Sequence, residues 1–66
     1  MTAEVAIRMA LTLLEEAGTD LTARIDATRT SGGQIKLGHA TQYAEAADAR
    51  TAVLDAAHLL RAVAHR

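Results

Sequence analysis

From Ala3 to Ala17 the apolar positions do not form a stripe. At 100° per residue, Val5, Ile7, Met9, Leu11, Leu13 and Leu14, with Ala6, Ala10 and Ala17, fill an arc of roughly 240°; Glu4, Arg8, Thr12, Glu15 and Glu16 take the rest. A helix resting on one surface needs an apolar face only a little over ~100° wide. The pattern therefore predicts a helix over about 3–17 with neighbours on two sides. Thr2 is placed to cap its start, and neither Gly nor Pro interrupts it before Gly18.

Gly18-Thr19-Asp20 carries a stop followed by a start, because Gly suits the residue after a helix and Thr or Asp caps the next. The spacing favours a short helix over about 20–30. A strand is the alternative, since Leu21, Ala23, Ile25 and Ala27 alternate with Thr22, Arg24, Asp26 and Thr28. Turning at Ser31-Gly32-Gly33 into Gln34-Ile35-Lys36-Leu37, that strand would make a β-hairpin at about 21–37 between two helices, an α+β fold. Alanine at the inward positions speaks against it.

Beyond the glycines of residues 31–38 the pattern is simpler. From His39 to Ala64 there is no Gly or Pro and much Ala, which predicts one long helix over about 39–64. Ala46, Ala49, Val53, Ala56, Leu60 and Val63 repeat at 3–4 spacing, with Ala52, Ala57 and Leu59 beside them. Tyr43, Ala47 and Leu54 trace a second, weaker row, and Asp48, Thr51, Asp55 and His58 mark a solvent side. The expected fold is all-α, a single domain over 1–66: a small helical hairpin or bundle.

Composition sharpens the expectation of partners. Sixteen of the 33 apolar residues are Ala and one is Tyr43, so 16 Leu, Ile, Val and Met must do most of the burying in a 66-residue chain. A domain of this size hides only about 60% of its unfolded surface. With no Cys to supply disulfides or thiolate metal sites, association is the natural supplement. The predicted interface residues are Val5, Ile7, Met9, Leu11, Leu13 and Leu14 on the first helix and Ala46, Ala49, Val53, Ala56, Leu60 and Val63 on the last.

Net charge is −1 with His neutral, which is a poor basis for binding polyanions by bulk electrostatics. Only residues 21–39 are locally basic, with Arg24, Arg29 and Lys36 against Asp26. No apolar run approaches the ~20 residues of a membrane span, and the first residues lack the order of a signal peptide. The expected location is the cytoplasm or another intracellular site, including the inside of a larger particle, with no membrane partner.

Candidate chemistry is sparse. Asp55, His58 and His65 share one side of the last helix but have neither the HExxH spacing nor a His pair at i, i+4, so a solvated face is the better reading and no metal is expected. Glu15 and Glu16 diverge by 100° on a helix and cannot act together on one substrate. Ser31-Gly32-Gly33 lacks the GxxxxGK[ST] pattern of a phosphate loop. With no nucleophile–base set, the chain reads as a non-enzymatic module without cofactors, whose partner is itself or a larger protein assembly, a viral one included. A small dimeric DNA-binding regulator is the alternative. Leu11 to Ala27 has a helix-turn-helix outline, with Arg24, Arg29 and Lys36 in residues 20–36 as phosphate contacts.

Overall fold

The computed structural model describes residues 2–65 and consists of two antiparallel helices of equal length, α1 (Ala3–Ala27) and α2 (Ala40–Ala64), joined by a twelve-residue connection. The all-α hairpin expected from the pattern is what forms. Among the described residues there is no strand.

The Thr2 Oγ1 accepts the Val5 N–H at 3.2 Å, closing one of the open donors at the start of α1, and Arg8 pairs with Glu4 one turn on. The expected break at Gly18 is absent: α1 runs through it, so the helices anticipated over 3–17 and 20–30 are one. The reasons are local. Thr19 and Thr22 donate their hydroxyls to the carbonyls of Glu15 and Gly18 rather than capping a new helix, and Asp20 accepts from Arg24 at 2.7 Å. Gly18 itself faces α2. A methyl group built there would lie 3.8 Å from Val53 Cγ1, so the small residue stands at the closest part of the helix–helix contact.

Thr28 ends α1, its hydroxyl donating to the Ile25 carbonyl at 2.7 Å and its side chain buried. The connection retains a trace of the hairpin alternative in an isolated antiparallel bridge between Arg29 and Ile35, with Lys36 N–H donating to the Thr28 carbonyl at 2.7 Å. One bridge does not make a sheet, and the β-hairpin at 21–37 does not form. Gly33 and Gly38 take positive φ of 84° and 82°, which is what turns the chain twice within a few residues. Arg29 then clasps the connection to α2, its guanidinium donating to the Tyr43 hydroxyl at 3.1 Å and lying 5.3 Å from the ring centroid.

Apart from Ala10, Ala17, Ala47 and Ala56, which are half-buried on its flanks, the residues that lose exposure form one seam on each helix. On α1 they are Ile7, Leu11, Leu14, Gly18, Leu21, Ile25 and Thr28; on α2, His39, Tyr43, Ala46, Arg50, Val53, Ala57 and Leu60. Both follow a strict 4–3 alternation, the spacing of a two-helix contact. Stepping antiparallel from the Gly18–Val53 contact brings Ile25 level with Ala46 and Leu14 level with Ala57. Large residues on one helix thus meet small ones on the other, which lets the pair close tightly. Ile25, Ala46 and Ala57 are buried; the other apolar seam residues are only half covered.

Candidate interaction surface

A two-helix hairpin has two long sides, and here they differ. One is a groove between Leu14, Gly18 and Thr22 of α1 and Arg50, Val53 and Leu54 of α2. Arg61 reaches across it to Glu15 at 3.4 Å, the cross-helix ion pair of this side. Charge covers this side.

The other groove runs between Leu21, Arg24 and Thr28 of α1 and Gln42, Glu45 and Ala49 of α2. Continuing in whole heptads toward the open end of the hairpin, Arg24 is followed by Ala17 and Ala10 on α1, and Ala49 by Ala56 and Val63 on α2. Leu13 and Ala6 fall between the first pair, Ala52 and Leu59 beside the second. Away from the loop the charged residues near this side are Asp20, in the row of Leu13 and Ala6, and, where Val63 reaches the open end, Glu4 and Arg8. Leu13, Leu59 and Val63 are exposed on this side and Met9 adjoins it, whereas the exposed Val5 lies in the row of Thr12 and Thr19 toward the other side.

The predicted interface residues therefore divide. Ile7, Leu11, Leu14, Val53 and Leu60 are half-buried, and Ala46 is buried; all six belong to the contact between α1 and α2 within the chain. Val5, Met9, Leu13, Ala49 and Val63 are exposed, and Ala56 is half-buried at the border. The row 46–49–53–56–60–63 straddles two true rows, 46–50–53–57–60 facing α1 and 49–52–56–59–63 facing away. Two seam members absent from the predicted main row are Tyr43, a member of the weaker second row, and Arg50, a member of neither. The signal was the 4–3 spacing they share with Ala46, Val53 and Ala57, disguised by a charge and a hydroxyl.

Two of the three basic residues make side-chain contacts within the chain. Arg24 holds Asp20 on α1, Arg29 holds Tyr43, and Lys36 lies exposed in the connection. The helix-turn-helix outline disappears with the continuous α1. His39 is half-buried at the loop end, its Nδ1 without a hydrogen-bond partner among the described residues. Among the described residues no three His, Asp or Glu side chains come together as metal ligands, and no helix is long and apolar enough to cross a membrane.

The geometry defines a class by fold alone, an antiparallel helical hairpin with one side more apolar than the other. No protein-family model, curated protein or solved structure matches the chain.

Proposed function

We propose that the chain is a non-enzymatic assembly module whose more apolar side, built on Leu13 and Ala17 of α1 and Ala49, Ala56 and Val63 of α2, is a protein–protein interface. The observation that carries this is the asymmetry of exposure: Leu13, Leu59 and Val63 stand in solvent along one side, whereas on the other the exposed Leu54 lies beside a cross-helix ion pair. Contiguous exposed apolar surface of this kind marks interaction sites. The charged residues support the same reading, since Glu4, Glu15, Asp20, Arg8, Arg24 and Arg61 are engaged with one another. The partner is a second copy or a larger assembly, and the setting is intracellular.

Leu13 and Leu54 provide the test. They are the same residue at nearly the same exposure, 63% and 57%, but on opposite sides. Leu13→Glu is expected to move the tagged chain to monomer mass on sedimentation, both purified and in extracts of its native cells, whereas Leu54→Glu leaves the mass unchanged. Equal behaviour of the two variants would remove the distinction on which the reading stands.

A further inference from the structure

We infer that the occupant of the apolar side is a second copy of this chain, related by a two-fold axis parallel to the helices, giving a four-helix bundle with both loops at the same end. The inference rests on the reading of that side as an interface and adds the identity and orientation of the partner.

The first ground is area. A compact monomer of this mass, 7.0 kDa, exposes about 4,000 Å², whereas the hairpin exposes 5026 Å². Its radius of gyration is 14.9 Å, against about 11 Å for a compact chain of its length. The surplus of about 1,000 Å² is on the scale of the ~800 Å² that each partner contributes to a stable interface. Only an occupant covering most of the 47 Å length removes that much. A second hairpin has that length.

The second ground is charge and level. Arg24 of α1 and Glu45 of α2 line the same groove at the loop end of the apolar side, with opposite sign. Stepping from the Gly18–Val53 contact, Arg24 is level with Ala47, two residues or about 3 Å from Glu45. A two-fold axis parallel to the helices exchanges them, laying α1 of each copy over α2 of the other without changing any residue's level. Arg24 of each copy, which also holds Asp20 of its own chain, then comes over Glu45 of the other, twice, while Leu13 and Ala17 come over Ala56 and Ala10 comes over Val63.

An axis across the helices does the reverse. It stacks like helix on like and sets the loop-end charges of one copy against the open end of the other. The parallel axis keeps the Ala and Leu rows of the two copies level and brings Arg24 near the partner's Glu45. Either axis makes every adjacent pair of helices antiparallel, the favourable arrangement of their dipoles, so the choice rests on the level of the side chains.

The absence of Cys makes the arrangement directly readable. Ala17→Cys and Ala56→Cys are made separately, and each protein is oxidised alone and after mixing in equal amounts under dimer-exchange conditions. The mixture is expected to give a covalent dimer containing one of each chain, several-fold more abundant than either self-linked product. Predominant self-linking of Ala17→Cys would show like helices stacked and overturn the axis. Wild-type protein that sediments as a monomer when pure would overturn the second copy itself. The proposed interface would still stand in that case if Leu13→Glu, but not Leu54→Glu, released the chain from a complex in native extracts.

Discussion

The two long sides of the hairpin are built from the same pair of helices, yet one is finished and the other is not. On the Leu54 side, Glu15 and Arg61 bridge the helices and Arg50 lies in the groove, so water is an acceptable neighbour. On the Leu13 side the same helices present Ala, Leu and Val over most of their length. The difference teaches that the wide apolar arc of α1 is not surplus hydrophobicity. Part of it faces α2, and the remainder is directed to one side.

Both sides depend on the seam between the helices, so the most damaging change should be one made there. Ile25 is 3% exposed, and Ile25→Ala is expected to cost about 2–5 kcal/mol. Circular dichroism should show a large fall in melting temperature, with both helices lost together. A shift no larger than that of a surface substitution would mean that Ile25 is not at the centre of the fold.

On the charged side the expected effect is small. Glu15 and Arg61 are each at least half exposed and 3.4 Å apart, and such pairs contribute about 0–1 kcal/mol. Glu15→Gln should lower stability within that range, and the difference from wild type should shrink as salt is raised. A loss of several kcal/mol, unaffected by salt, would make this side as structural as the seam.

The smallest effect should be favourable. A methyl group at Gly18 meets Val53 at 3.8 Å, an ordinary contact, in a helical stretch where Gly is the weak residue. Gly18→Ala is expected to stabilise by about 0.5–1 kcal/mol, read as a small rise in melting temperature. Destabilisation would show that the helices sit closer at Gly18 than this spacing allows.

Much of the architecture was legible from spacing alone. The Thr2 cap, the Gly-rich break and the start and end of α2 all follow from local chemistry that the fold respects. Gly18 misled because the residues read as caps after it, Thr19 and Asp20, serve a continuous helix equally well through bonds to Glu15 and Arg24, and because Val53, which Gly18 faces, lies 35 residues away. The rotation of α2 was harder to read for a different reason. Alanine occupies both the inward row, at Ala46 and Ala57, and the outward row, at Ala49, Ala52 and Ala56, so hydrophobicity has no contrast with which to separate them. Arg50 reads as surface by its charge, although half of it lies in the seam. The apolar side could not be seen without knowing which rows α1 and α2 use on each other.

The connection holds one more feature with a consequence for the life of the molecule. Leu37 is fully exposed and follows Lys36, in a stretch whose every residue from Arg29 to Gly38 is open to solvent. Exposed loop tips of this kind are where proteolytic nicking concentrates. A single cut there would separate α1 from α2 covalently and leave two pieces of similar size, each too short of tertiary support to keep its helix in water. The seam alone would then have to hold them. The same dozen residues that let one chain form a hairpin are also its point of demolition, and a bundle that shields the helices leaves that point in reach.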